Sequence, residues 1–462
     1  MNTRTSKIML FVSLMFIILG IQSSFAATYY VANTGSNSNP GALASPFKTI
    51  TYGVGKLIAG DTLYVREGVY NEVVTISRNG TASNPITVSG YFDGTRYEVP
   101  VIDGGHTLPT SSWSGLMYIN GSYINVSHFE ILNSSLKANG LLFEAPGQNN
   151  KASFMKVHDN GQTGIMGKAD YITVEDCEVY LNCMCNSAHL TGAGWANGIG
   201  IAREKSNGIA EYGIVRRCKV YDNHGEGVDA FEASHITIED CEIFNNFTQN
   251  LYVSDASYVL VQRNIVYNTS NPRISPRNGN LTGISLFEEV AGHPNKDGFI
   301  IPNSTNNTII NNFLYNANIG VYTWNEPQVK NPGFNNSIIA NNTIVKGKIS
   351  VGNLAHSNSQ IRNNIFYGTG HSIPTKVGIT FSNNCWATTP PENGSGPGDV
   401  VGDPVIAQTG TLLPGKINAA FFKLLSSSPV INKAVVLSDV KEDFFKTIRN
   451  NIPDIGAHKC AK

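Results

Sequence analysis

Cys218-Lys-Val-Tyr-Asp-Asn223 and Cys241-Glu-Ile-Phe-Asn-Asn246 are two copies of one short phrase, and they stand 23 residues apart. Related phrases recur from Met155 to Asn364 at spacings of 22 to 48 residues. A repeat of about 20 to 50 residues is typical of one structural unit stacked on itself. The segments are short and rich in Val, Ile and aromatic residues, which favour β-strands. The repeat therefore predicts an all-β solenoid, a right-handed parallel β-helix with an N-terminal cap.

The first residue of each phrase is expected to face the inside of the coil. This line holds Cys177, Cys218 and Cys241, and continues as Asn264, Asn312, Asn342 and Asn364. Parallel strands about 4.8 Å apart bring such cysteines within disulfide range. Cysteine is also among the most buried residue types. The sequence thus leaves disulfides and a stack of buried thiols as alternatives and favours the stack. The asparagines predict a hydrogen-bonded ladder.

The N-terminal segment has the pattern of a signal peptide. Arg4 and Lys7 precede an apolar run over residues 8–21, and small residues follow before position 27. This predicts a cleaved signal peptide at 1–26 and a secreted, periplasmic or cell-surface protein. No later stretch is long enough to span a membrane.

Composition and charge narrow the class of partner. Charged residues make up 15% of the chain and the formal net charge is −1, which excludes long-range attraction to nucleic acid or to an anionic membrane. Residues 27–462 are predicted to form one domain and a monomer. Within it, 27–105 would contain the cap and first coils, and 385–462 the closing segment.

A second series of phrases begins at Gly or Asn corners and supplies an exposed strand in each coil. The residue after the corner is apolar and points inward, and the next one points outward. Asp229, Glu232, Asp255 and Glu288 fall on neighbouring coils of this strand. Carboxylates one or two rungs apart can share a hard cation such as Ca²⁺. The alternative is a solvated acidic edge.

The two ends of the mature chain resemble a known group of proteins. Gly60-Asp-Thr-Leu-Tyr-Val-Arg-Glu-Gly-Val-Tyr70 lies near the start, with Gly402-Asp-Pro-Val405 and Asp454-Ile-Gly-Ala457 near the end. These motifs resemble those of secreted bacterial parallel β-helix proteins, including family 9 pectate lyases and uncharacterised relatives. The resemblance implies the fold directly. It also implies an acidic Ca²⁺ site paired with a Lys or Arg base.

Cations and aromatic residues near the acidic patch complete the predicted site. Candidate bases are Lys168, Arg203, Arg273 and Arg277. A lysine serves as a base only when it can lose its proton, and the cation would neutralise the uronate carboxylate. Exposed rings offer flat faces to sugars. The candidate sugar platforms are Tyr252, Tyr322 and Trp324.

These observations predict a polysaccharide lyase that cleaves an acidic polysaccharide by Ca²⁺-assisted β-elimination. A uronate epimerase would use the same proton abstraction. A non-catalytic glycan-binding or adhesive surface protein is the alternative from another class. A third possibility is a glycoside hydrolase, which would use paired carboxylates without the cation.

Overall fold

The computed structural model describes residues 26–189, 196–202, 208–294, 298–323, 329 and 332–460. Three long parallel sheets dominate this part of the chain, with one short helix and three 3-10 turns. No helix within it is long and apolar enough to cross a membrane. The predicted signal peptide lies outside the described residues, apart from its last position.

Each long sheet takes one strand from most coils. Sheet A contains Thr28–Val31, Thr62–Val65, Ile86–Gly90, Ile124–Ser127, Lys151–Ser153, Thr173–Glu175, Ile214–Arg216, Thr237–Glu239, Leu260–Gln262, Thr308–Ile310, Ile338–Ala340, Ser359–Arg362 and Ile379–Ser382. Sheet B contains Val74–Ile76, Gly115–Ile119, Asn139–Glu144, Ile165–Lys168, Asn197–Ala202, Glu226–Phe231, Leu251–Ser254, Thr282–Glu288, Asn318–Thr323 and Ile349–Val351. Sheet C contains Val69–Tyr70, Val101–Asp103, Glu130–Leu132, Lys156–His158, Glu178–Tyr180, Lys219–Tyr221, Glu242–Phe244, Ile265–Tyr267, Phe313–Tyr315, Thr343–Val345, Ile365–Tyr367, Cys385–Trp386 and Val400–Val401.

The remaining elements are short. Ala210–Glu211 and Ala233–Ser234 pair as a two-stranded sheet, Ile50–Val54 is the helix, and the 3-10 turns are Met184–Asn186, Arg277–Gly279 and Ala419–Phe422. The helix packs at the N-terminal end, where the Thr49 side chain accepts a hydrogen bond from Tyr52 N–H. This is the helical cap expected from the sequence.

One coil passes through sheet B, then sheet A, then sheet C. The apolar residues that alternate along its strands point inward, and Val228, Ile238 and Ile243 are fully buried. Strands pair in parallel and in register with the coils on either side, as Val228 does with Ile199 and Leu251. The inward rows form one continuous hydrophobic core. Parallel strands buried against such a core need apolar residues on the inner side of every coil.

Two asparagine ladders run inside the coil at the bends between sheets. In the predicted ladder, the Asn264 side chain donates to Asn312 at 3.0 Å and Asn312 donates to Asn342 at 2.9 Å. A second ladder joins Asn182 to Asn223 at 3.1 Å and Asn223 to Asn246 at 2.8 Å. Each amide also bonds backbone groups at its bend, so the polar groups buried there are satisfied. The predicted ladder is confirmed.

All seven cysteines are free thiols. Cys177, Cys218 and Cys241 are buried and occupy successive coils of the inner line, with Cys218 N–H donating to the Cys241 sulfur at 3.4 Å. Of the two alternatives left by the sequence, the structure therefore shows the thiol stack.

The C-terminal strap, residues 403–460, packs along the outer face of sheet C. Phe422 stacks on Phe313 with ring centroids 4.6 Å apart, and Phe421 meets Tyr315 edge-on at 5.4 Å. These rings belong to a second hydrophobic cluster outside the coil. The strap leaves the outer face of sheet B uncovered.

Candidate functional site

The outer face of sheet B carries a row of adjoining cavities. The acidic cavity has a volume of about 270 Å³ and is lined by Trp113, Thr163, Met166, Lys168, Asn197, Ala202, Glu226, Asp229, Phe231, Tyr252 and Glu289. A neighbouring cavity of about 250 Å³ shares Glu226, Tyr252 and Glu289 with it and adds Arg277. The 269–281 segment forms a wall here, as expected for an insertion on the binding face.

Strand register brings the outward residues of the acidic cavity together. Asp229 lies beside Gly200 in one neighbouring strand and beside Tyr252 in the other. Gly200 leaves room for the Asn197 side chain, because a Cβ there would lie 2.6 Å from its oxygen, and the Asn197 amide in turn donates to Asp229. Glu226 begins the same strand as Asp229 and follows the bend held by Asn223. The asparagine ladder thus fixes the position of Glu226.

Asp229 and Glu226 form a buried pair of interacting carboxyl groups. Asp229 is buried, and its carboxylate accepts a hydrogen bond from the Asn197 amide. Its Oδ1 atom has no hydrogen-bond partner among the described groups. Burial, followed by the charge of Glu226, raises the pKa of Asp229 well above its ordinary value. Burial also raises the pKa of Glu226 to about 6. A protonated Asp229 that donates to the Glu226 carboxylate satisfies both groups.

Tyr252 and Glu289 form a second polar pair in the cavity. The Tyr252 hydroxyl donates to the Glu289 carboxylate. Burial and the charge of Glu289 raise the pKa of Tyr252 well above its ordinary value, which keeps the phenol protonated. Only 4% of Tyr252 is exposed. It can therefore present a hydroxyl to a ligand, but it has no free ring face on which a sugar could stack.

Lys168 and Trp113 form one side of the acidic cavity. The Lys168 Nζ atom lies 6.0 Å from the centre of the Trp113 ring. Trp113 is 54% exposed, which is unusual for so large an apolar side chain. An exposed ring beside a cation and a polar cavity can stack on a sugar face.

The four carboxylates predicted to bind Ca²⁺ do not converge on one point, although Asp255 lies close enough to Glu288 that its charge adds to the effect of burial in raising the pKa of Glu288. In the described part of the chain, no three His, Cys, Asp or Glu side chains converge as metal ligands. Glu232 and Asp255 lie one residue beyond the outward column, at corners with φ of 46° and 49°. Both side chains are buried there, as is that of Glu288. The predicted metal site is thus not assembled, and no step below runs through calcium.

Asp255 and Glu288 anchor loops instead. The Asp255 carboxylate accepts hydrogen bonds from the backbone N–H groups of Glu289 and Ala291, each at 3.0 Å. Glu288 accepts from Ser304 N–H and Gly333 N–H, each at 2.7 Å. Burial raises their pKa values to about 6 and about 7 respectively. These two acids hold the segments that border the groove.

The other predicted residues lie in different places. Lys168 lines the acidic cavity, and Arg277 lines the neighbouring one. Arg273 is exposed and does not line the acidic cavity. Burial raises the pKa of Asp222, and the charge of Arg273 partly opposes this rise. Arg203 and Trp324 lie outside the described residues.

Tyr322 is displaced by a register shift that the sequence alignment missed. The shift falls between Thr282 and Ile284, so Ser285 faces Gly320 and Phe287 faces Tyr322. Tyr322 therefore lies beside Phe287 and not in the outward column of Tyr252 and Ser285. Tyr322 lines the next cavity along the groove.

Sequence reasoning missed Trp113, Asn197, Glu226 and Glu289. Asn197 and Glu226 stand two residues before the inward apolar residue of their strands and face each other in register. Extending the aligned strand positions by two residues toward the N-terminus would have identified both. Glu289 follows the strand within a loop and Trp113 lies outside the repeat, so periodicity gave no signal for either.

Sequence comparison identifies known proteins that this chain resembles. Residues 29–258 match the profile described as "Pel9A-like, right handed beta helix region". The uncharacterized protein YwoF of Bacillus subtilis is 29% identical over 142 residues, 30% of each chain. Pectate lyase PEL9 of Emericella nidulans is 24% identical over 220 residues, 45% of this chain and 50% of that protein. The alignments thus span half or less of these relatives' own length.

Solved structures show the same architecture over nearly the whole chain. Pectate lyase Pel9A superposes with a TM-score of 0.57 at 16% identity, covering 95% of this chain and 97% of that one. XylC in complex with xylose gives a TM-score of 0.55 at 12% identity, covering 94% and 98%. These likenesses confirm the predicted right-handed parallel β-helix. Together, the matches relate this chain to the Pel9A-like right-handed β-helix family.

Proposed function

We propose that this protein is an exported polysaccharide lyase that cleaves an acidic glycan by β-elimination in the groove on sheet B. The observation that carries the proposal is the acidic cavity, which brings a lysine, a tyrosine and a buried pair of carboxyl groups together. The relationship to the Pel9A-like family supports it.

The reaction requires three things of the cavity. The charge of the uronate carboxylate must be neutralised, the proton on the adjacent ring carbon must be removed, and the departing oxygen must gain a proton. The Glu226–Asp229 pair holds a proton in a buried setting and can donate it as a hydrogen bond to the substrate carboxylate. A carboxylic acid kept protonated by its surroundings can act as such a donor.

Lys168 and Tyr252 would then move the protons. Lys168 would act as the base that takes the proton from the ring carbon, and the electron pair of the broken carbon–hydrogen bond would form a carbon–carbon double bond as the glycosidic oxygen leaves. The Tyr252 hydroxyl, protonated and held by Glu289, gives its proton to the leaving oxygen. Water then takes the added proton from Lys168 and returns one to Tyr252 before the next cycle.

A glycoside hydrolase is the second candidate, because a buried carboxyl with a pKa of about 6 is also suited to general-acid catalysis. Glu226 or Asp229 would protonate the glycosidic oxygen, and Glu289 would assist the attack of water. This reaction uses water to break the bond between the anomeric carbon and the glycosidic oxygen, and it forms no double bond. The two candidates therefore give different products from the same cavity.

The test is incubation with polygalacturonate, alginate and glycosaminoglycans, in EDTA and in excess Ca²⁺, while absorbance from the new double bond is followed. A rise in absorbance that occurs in EDTA and that Lys168→Ala abolishes supports the proposed mechanism. A rise in absorbance that occurs only with Ca²⁺ would show that the reaction requires a calcium site. New reducing ends without absorbance identify a hydrolase. Binding without any product identifies a glycan-binding protein and overturns the proposal.

A further inference from the structure

The groove continues beyond the acidic cavity toward the C-terminal coils. A third cavity of about 330 Å³ is lined by Gln249, Asn280, Thr282, Ser285, Phe287, Asn318, Gly320, Tyr322, Thr323 and Lys348. A fourth, of about 250 Å³, shares Asn280, Asn318 and Lys348 with it and adds Lys346. We call these two cavities the basic arm.

The charge of the basic arm is opposite to that of the acidic cavity. Three carboxyl groups line the acidic cavity, whereas the described lining of the arm contains none. Lys348 lines both cavities of the arm. Amides, hydroxyls and two half-buried aromatic rings make up much of the rest of the third cavity. This combination suits a sugar that carries a negative charge.

Hydrogen bonds from the backbone and from neighbouring side chains hold the residues of the basic arm in place. Lys348 N–H donates to the Asn318 side-chain oxygen at 3.0 Å, and Asn318 pairs with Thr282 of the next strand. On the floor, the Ser285 hydroxyl donates to Gln249 at 2.6 Å. The strand that begins after Lys348 lies three rungs from the strand of Tyr252, or about 14 Å. The arm is therefore long enough for more than one sugar unit.

We propose that the basic arm binds anionic sugar units of the substrate on the C-terminal side of the cleavage point, with Lys348 as the residue that recognises their charge. The inference rests on the proposed function in placing a glycan in the groove. It gives the bound glycan a direction along the groove. It also means that the charge of sugar units other than the reacting one affects specificity. The recognised group is a carboxylate or a sulfate, which have the same charge chemistry.

Calorimetric binding tests the arm without requiring turnover. Oligogalacturonate, a sulfated oligosaccharide and a neutral oligosaccharide of equal length are titrated into the wild type, Lys348→Gln and the exposed control Lys376→Gln. Lys348→Gln is expected to weaken binding of an anionic oligosaccharide about tenfold and to reduce its salt dependence, with no change for the neutral one. Comparing the two anionic ligands tells carboxylate from sulfate.

Two outcomes separate this inference from the proposed reaction. If Lys348→Gln binds all three ligands as the wild type does, the arm is not a charged subsite, whatever the catalytic assays show. If the Lys348 effect is present but no polymer is cleaved, the arm stands and only the proposed reaction fails.

Discussion

Glu226 and Asp229 set the charge of the cavity in which the substrate would react. An acidic glycan is repelled by two ionised carboxylates but can accept a hydrogen bond from a pair that retains a proton. Burial is the leading cause of the raised pKa values of both groups. We therefore expect the protonation of this pair to affect both the stability of the protein and its affinity for an acidic ligand.

Replacing Glu226 by Gln is expected to stabilise the protein above pH 6. The folded-state pKa is about 6 against an ordinary value of 4.5, so stability falls as pH rises through this interval. The neutral amide removes that loss, which amounts to about 2 kcal/mol at pH 8 and vanishes below pH 4.5. Urea unfolding in EDTA at pH 4 and pH 8 measures it.

The exposed Glu392→Gln variant serves as the control for Glu226→Gln and should match the wild type at both pH values. An equal effect of Glu226→Gln at both pH values would show that burial does not raise the pKa of Glu226.

Tyr252→Phe removes one hydroxyl from the cavity and leaves the ring in place. If that hydroxyl protonates the leaving oxygen, kcat should fall at least about 100-fold while the melting temperature changes little. Tyr258→Phe, at an exposed position outside the cavities of the groove, is the matched control and should keep most of its activity. A Tyr252→Phe enzyme with wild-type kcat would remove the tyrosine from the mechanism.

Part of this site could be predicted from the sequence. Asp229, Tyr252 and Lys168 stand at outward positions of regularly repeating strands, so periodicity alone located them. Glu232 and Asp255 were given a metal role because the alternation was carried one residue past the strand, and Glu288 because it ends its strand. At these positions the chain turns a corner, and the side chains of Asp255 and Glu288 bond loop backbones instead. Periodicity does not show where a strand ends.

The asparagine ladder is an element whose members depend on one another. Asn312→Ala removes the acceptor of two hydrogen bonds from Asn264 and the donor of bonds to Val261, Ile310 and Asn342. Several buried groups then lose their partners, at about 1–3 kcal/mol each. We expect a loss of at least about 3 kcal/mol in the free energy of unfolding, measured in urea.

The exposed Asn71→Ala variant is the control for the ladder, because its amide forms one bond to the backbone at the surface. It should lose less than about 1 kcal/mol. A similar small loss in Asn312→Ala would mean that water replaces the ladder.

The elements of the fold were largely readable from the sequence, because one inward apolar residue recurs in every coil. The exception is the strand Asn318–Thr323, whose Gly320 looks like a corner glycine but lies within the strand opposite Ser285. The shift arises from an irregularity near Thr282, after a long insertion. A repeat pattern carries no information about how a non-repeating insertion rejoins the ladder.

Over the whole molecule, the C-terminal strap joins the coils from the outside. Phe422→Ala should destabilise the protein by about 3–5 kcal/mol, because the ring is fully buried and stacked on Phe313. Chemical denaturation measures the loss, and Leu425→Ala, at a 46% exposed position, is the control. Equal stability of the two variants would show that the strap contributes little to the fold.

The strap also sets an order of events during synthesis. At about 5–20 residues per second, roughly 5 to 20 seconds separate the appearance of Tyr315 from that of Leu424. Throughout that time, the aromatic row of sheet C lacks this cover, while the coils from Ile338 to Val401 are still being made. A nascent or shortened chain can associate with others through this row, and only the last segment to be made closes it.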